Sequence, residues 1–148
     1  MTIAPAPQLP ATTLAGQRVL ITQADAFMGP VLTDVFTRQG ATVLADTRPL
    51  ADDPAAAAAA VADAGQVDVL LIHLSIPAPA TAAQHIGEAE WRQVFAHMVD
   101  PMPRLVAAVL PQMLARRAGR ILLMGSAAAL RGQKRSGSYS AARGAQLA

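Results

Sequence analysis

The chain has 148 residues, a formal net charge of +2, 53% hydrophobic residues and no cysteine. That length suits one domain with a sizeable core, and the missing cysteines exclude disulfides, thiolate nucleophiles and thiolate metal sites together. The opening MTIAPAPQLPATTLAG lacks a basic n-region and an apolar h-region, so no signal peptide is expected; the apolar stretch 105–114 is too short to span a membrane. A protein off the membrane, in the cytoplasm, is the expectation.

All ten acidic residues lie at or before Asp100, and eight of the twelve basic ones follow it. A basic patch can attract nucleic acid. Arg116 and Arg117, however, fall at a predicted helix end, where cations suit the dipole, and Arg131, Lys134 and Arg135 fall in a predicted loop. Solvated surface or a subunit contact is the expectation, with no nucleic-acid partner.

Residues 1–15, rich in proline, read as a flexible extended tail, and 16–148 as the domain. Residues 18–22 (RVLIT) predict a strand, and 28–39 a helix closed by Gly40. Residues 41–45 repeat the strand signal; 51–64, with six consecutive alanines, predict a helix ended by Gly65. A third strand is expected over 67–73, a loop over the proline-rich SIPAPA, and helices over 88–97 and 100–117. Pro101 suits a helix start, whereas Pro111 should kink or split the second helix. Residues 120–125 predict a fourth strand that delivers Ser126, and a last helix begins near 136. Strands alternating with helices imply right-handed crossovers and a Rossmann-like, doubly wound α/β fold with a parallel sheet. Ligands bind such sheets beyond the strand C-termini, where the turn after Thr22, the loop after His73 and Ser126 should meet.

The segment GSAAALRGQKRSGSYSAARGA carries the spacing Ser126-x12-Tyr139-x3-Arg143. On a helix, positions four apart share a face, so Tyr139 and Arg143 should adjoin. At about 4 Å and an effective dielectric of about 20, the cation would favour a phenolate by about 4 kcal/mol, as a general base requires. In the first turn, Thr22-Gln-Ala-Asp-Ala-Phe-Met-Gly29 has one glycine where a dinucleotide fingerprint has three. Phe27 should fill the space that backbone amides need to approach a pyrophosphate, and Asp25 adds a repelling charge.

With its serine and tyrosine so spaced, the chain resembles the short-chain dehydrogenase/reductase superfamily, with Arg143 where those proteins carry lysine. The chain has no asparagine, so the superfamily's Asn-Asn-Ala-Gly segment and helical asparagine are missing. Arginine does not replace lysine conservatively at such a site. Together these features resemble a specific branch, the halohydrin dehalogenases, whose signatures are a Ser-Tyr-Arg triad and an aromatic turn Thr-x4-(Phe/Tyr)-x-Gly. Ser126, Tyr139 and Arg143 satisfy the first, and Thr22, Phe27 and Gly29 the second.

The resemblance implies conversion of vicinal halohydrins to epoxides and halide without a cofactor, and the reverse opening of epoxides by halide, azide, cyanide or nitrite. Tyr139 would be the base, Ser126 would hold the substrate oxygen, Arg143 would tune Tyr139, and Phe27, Thr22 and Gly29 would form the halide pocket. The family is homotetrameric and continues through further strands and helices, so the C-terminal part of sheet and pocket is expected to be missing here. An atypical NAD(P)-dependent reductase and a catalytically dead assembly module are the alternatives. His73, His85 and His97 lack metal-ligand spacing, and no metal is expected. His73 reads as a packed or capping residue, Asp46 as a loop acid, and Trp91 as core or interface.

Overall fold

The computed structural model describes residues 13–148. Four strands, β1 (Arg18–Ile21), β2 (Thr42–Ala45), β3 (Val69–Ile72) and β4 (Arg120–Leu123), form one parallel sheet in the order β2-β1-β3-β4. Between them run α1 (Gly29–Arg38), α2 (Ala56–Ala64), α3 (Glu88–Met98) and α4 (Pro101–Arg116); α5 (Ala128–Arg131) and α6 (Gly137–Ala145) follow β4.

Side-chain alternation along the strands divides the core into two layers. Leu20, Leu70 and Ile72 point to one face and pack with Ala57 and Val61 of α2 and with Leu105, Val109 and Met113 of α4. Val19, Ile21, Val69 and Leu71 point to the other, against Leu32 and Phe36 of α1. Helices on both faces explain why every residue of β3 is buried. A third cluster joins α3 to α6 through Val94, Met98 and Ala142, with Tyr139 half-buried at its margin.

Several expectations needed correction. Residues 1–12, most of the predicted tail, lie outside the described residues. The rest of that segment is held: Leu14 donates its N–H to the Gln39 carbonyl at 3.0 Å and packs beneath the sheet. Helix α2 begins at Ala56 rather than 51, because the residue before Pro54 is biased away from helix and Asp53 Oδ1 accepts the Ala55 N–H at 2.8 Å. Pro111 does not split α4, which runs unbroken over sixteen residues. Leu105, Val109 and Met113 bury one stripe of that helix on both sides of the proline, and this packing offsets the missing hydrogen bond. Among the described residues no helix is long and apolar enough to cross a membrane.

Candidate active site

Four connections reach the C-terminal edge of the sheet, and hydrogen bonds lace two of them together. Thr22, fully buried, extends the pairing of β1 with β3 through its side chain. Its Oγ1 accepts the His73 N–H at 3.0 Å and donates to the His73 carbonyl at 2.8 Å. Gln23 ties the next residues: its carbonyl accepts from His73 Nδ1 at 3.2 Å, and its Oε1 accepts the Ser75 N–H at 2.7 Å. The turn 22–28 and the loop 73–78 therefore stand as two fixed walls.

Within that turn the backbone is left-handed at Gln23 (φ 46°) and at Phe27 (φ 44°). Left-handed φ is uncommon for residues other than glycine, and for a bulky residue it is strained. The main chain here follows a path that glycine would take freely, yet it carries an amide that bonds Ser75 and an exposed aromatic ring. Gly29 serves the same turn sterically: a Cβ there would lie 2.5 Å from the Gln23 carbonyl oxygen and 2.6 Å from the Ala24 carbonyl. Only hydrogen fits where α1 starts against the turn.

Phe27 keeps 78% of its surface exposed and faces a cavity of about 490 Å³. Ala26, Ser75, Ile76, Pro77, Ala78 and Tyr139 complete the lining. Thr22 and Gly29, which the resemblance assigned to a pocket, do not line this cavity; they build the wall that carries Phe27.

Tyr139 and Arg143 lie one turn apart on α6, and Arg143 Nε donates to Tyr139 Oη at 3.0 Å. The guanidinium carbon stands 5.1 Å from the ring centroid, so the cation touches the ring as well as its oxygen. Arg143 is only 4% exposed. Its Nη1 donates to the Met124 carbonyl at 2.9 Å and to Gln146 Oε1 at 3.0 Å, and no carboxylate pairs with it among the described residues. Gln146 escaped the sequence reading because nothing local marks it: one amide at a helix end gains meaning only from groups brought to it by folding.

Ser126 sits apart from this arrangement. Its Oγ accepts the Ala128 N–H at 3.2 Å, starting α5, and it opens on a separate hollow of about 240 Å³ lined also by Arg131, Gly132 and Gln133. Ser126 and Tyr139 share neither a hydrogen bond nor a cavity. The spacing suggested a joint site; the loop 124–127 turns the serine elsewhere. Because Oγ is an acceptor in that bond, its own proton is free to donate.

Asp46 follows β2 and is buried, with its carboxylate bonded to the Arg48 Nε and N–H. Arg48 reaches on to Asp63 at 2.9 Å, and these two acids, Asp63 foremost, hold the guanidinium more firmly protonated than usual. His73 is 1% exposed with Nε2 unbonded among the described residues, and no cluster of three potential metal ligands occurs among them. Trp91, partly exposed, stacks on Phe95 with centroids 4.7 Å apart.

Comparison with known proteins sets this geometry in a lineage. The short chain dehydrogenase family model matches residues 31–147. A solved structure titled a dehalogenation enzyme is 31% identical, with a TM-score of 0.78 over 88% of this chain and 62% of its own. An E. coli oxidoreductase is 18% identical, with a TM-score of 0.80 over 94% of this chain and 69% of its own. A short-chain dehydrogenase from Shigella flexneri complexed with NADP is likewise 18% identical, with a TM-score of 0.76 over 93% and 70%. The last two share the fold alone. The chain thus spans 62% of the length of the dehalogenation enzyme. No curated protein sequence matches it. With a parallel Rossmann-like sheet and a family match over most of its length, the chain belongs to the short-chain dehydrogenase family.

Proposed function

We propose that this chain carries the base and the aromatic wall of a halohydrin dehalogenase that works without a nucleotide. One observation carries the reading: Arg143, buried and without a carboxylate partner among the described residues, donates to Tyr139 Oη at the wall of a cavity that Phe27 closes from the other side. A buried cation without a counter-charge is costly, and the phenolate of Tyr139 supplies one. The 31% identity to a dehalogenation enzyme supports the same assignment.

In the proposed reaction Tyr139 phenolate removes the hydroxyl proton of a vicinal halohydrin. The resulting alkoxide attacks the neighbouring carbon from the rear, the carbon–halogen bond breaks, and halide leaves with the bonding pair, so an epoxide forms and tyrosine is left protonated. Tethering of nucleophile and electrophile in one molecule supplies much of the rate. For Ser126 Oγ, with its proton free, to donate to the same substrate oxygen, the loop 124–127 must bring it from its separate hollow to the cavity of Tyr139. In the reverse direction Tyr139 protonates the opening epoxide while halide, azide, cyanide or nitrite attacks.

The test is halide release from a small bromohydrin or chlorohydrin without added nucleotide, in the parent and in Tyr139→Phe. Loss of the base should lower turnover by about 10²–10⁴-fold; undiminished turnover in Tyr139→Phe overturns the mechanism. The family match favours a second reading, an NAD(P)-dependent reductase. Two observations weigh against it: Gln23 and Phe27 carry side chains at the left-handed positions of the turn, and Arg48 already occupies the Asp46 carboxylate. Saturable binding in an NADPH titration would decide for the reductase.

A further inference from the structure

We propose that Gln146 is a positioning residue for Tyr139, fixing the plane of the Arg143 guanidinium so that Nε, rather than an Nη, meets the phenol oxygen. The inference rests on the reading of Tyr139 as the base and names a residue that neither the motif nor the family match assigns.

An arginine side chain presents five N–H donors in a rigid fork, so its effect on a neighbour depends on which edge faces that neighbour. Two acceptors grip the same nitrogen here: Nη1 donates to the Met124 carbonyl at 2.9 Å and to Gln146 Oε1 at 3.0 Å. With Nη1 held from two directions, the plane cannot turn, and the Nε–H is left aimed at Tyr139 Oη at 3.0 Å.

Gln146 is itself oriented by a second bond, since its Nε2 donates to the Met98 carbonyl. Met98 ends α3, and the carbonyls of a last helical turn lack intrahelical partners. The amide has one consistent assignment in this setting, because exchanging its oxygen and nitrogen would set donor against donor at Arg143 and acceptor against acceptor at Met98. Gln146 is 4% exposed, so both bonds lie away from competing water.

The neutrality of the amide matters as much as its geometry. A carboxylate at position 146 would bond Nη1 equally well and would also neutralise the cation, weakening its pull on the phenolate. Glutamine orients without neutralising. Arg143 reaches the residue after β4 through the Met124 carbonyl and Gln146 reaches the end of α3 through Met98, so the two side chains together tie those elements to α6 around the tyrosine.

Tyr139 is the only tyrosine in the chain, so tyrosinate absorbance reads this site directly and needs no substrate. The experiment is a pH titration of that absorbance in the parent, Gln146→Leu and Gln146→Glu, with circular dichroism confirming the fold. The midpoint should rise relative to the parent in both variants, in Gln146→Leu because the guanidinium plane is released and in Gln146→Glu because the carboxylate neutralises the cation. A residue that serves only packing would lower the melting temperature of Gln146→Leu and leave the midpoint in place. Should Gln146→Leu fail to fold, Gln146→Met, which keeps the length of the side chain and carries neither the amide nor a charge, takes its place. An unmoved midpoint in a folded Gln146→Leu or Gln146→Met overturns the proposal. Because no halohydrin is involved, shifted midpoints in a protein that releases no halide would sink the dehalogenase reading and leave Gln146 standing; halide release with unmoved midpoints would do the reverse.

Discussion

Replacing Phe27 by glycine and, separately, by alanine isolates the strain stored in the turn. Both changes remove the ring, and with 78% of the residue exposed the lost burial is about a fifth of that of a fully buried phenylalanine, or about 0.5 kcal/mol. They differ in what happens at φ 44°. Alanine keeps the left-handed penalty of about 1–2 kcal/mol. Glycine escapes it, at an unfolded-state entropy cost of about 0.5–1 kcal/mol. The glycine variant should therefore be the more stable of the two by about 0.5–1 kcal/mol, and close to the parent. Urea unfolding followed by far-UV circular dichroism reads this as a midpoint difference of about 0.3–0.5 M, at a slope of about 2 kcal/mol per M. Under the proposed reaction, halide release should fall in both variants, since both lose the wall facing Tyr139, so stability and turnover separate within one experiment. If the alanine variant equals or exceeds the glycine variant in stability, the strain argument for this turn is wrong.

Two further changes probe the scaffold. Gly29→Ala places a methyl group 2.5 Å from the Gln23 carbonyl oxygen and 2.6 Å from that of Ala24, backbone that cannot yield without moving the turn. A loss of about 1–3 kcal/mol is expected in chemical denaturation, and a loss under about 0.5 kcal/mol, the ordinary range for a surface change, would show the approach is not tight. Asp68, at the opposite edge of the sheet, accepts the Arg18 N–H at 2.8 Å, Arg116 Nη1 at 2.8 Å and Gln66 Nε2 at 2.9 Å. The Arg18 N–H foremost, then Arg116 and Gln66, against an opposing effect of desolvation, hold its carboxyl below the usual carboxylate range. A depressed folded value means the contribution is whole above the unfolded value of about 4 and is lost as pH falls through the folded one. Thermal melts between about pH 6 and pH 2 should show an acid limb that is shallower in Asp68→Asn; parallel limbs would remove Asp68 from the account.

The layered fold was readable because its determinants are local. Apolar runs such as RVLI and VLLI fit only strands with helices on both faces, and their alternation with helical segments fixes parallel pairing. The pairing of Tyr139 with Arg143 was likewise readable, since helical periodicity alone places them together. Other features depend on groups distant in sequence or on backbone angles that leave no mark. Gln146 acquires its partner from Met98, forty-eight residues away. The left-handed residues Gln23 and Phe27 carry no glycine to announce them, and Ser126 takes its direction from a loop whose course the spacing could not give. Pro111 misled for a related reason: packing on both sides of it outweighed an intrinsic preference.

The turn between β1 and α1 bears on how members of this family diverge. Since glycine enters freely the conformations that Gln23 and Phe27 hold, the same path of the main chain serves with or without side chains there, strain being the cost when they are present. A glycine-bearing turn and this one can share the same frame, because each replacement alters the contents of the hollow. Side chains can thus enter such a turn one residue at a time, changing what the hollow admits without changing the fold around it.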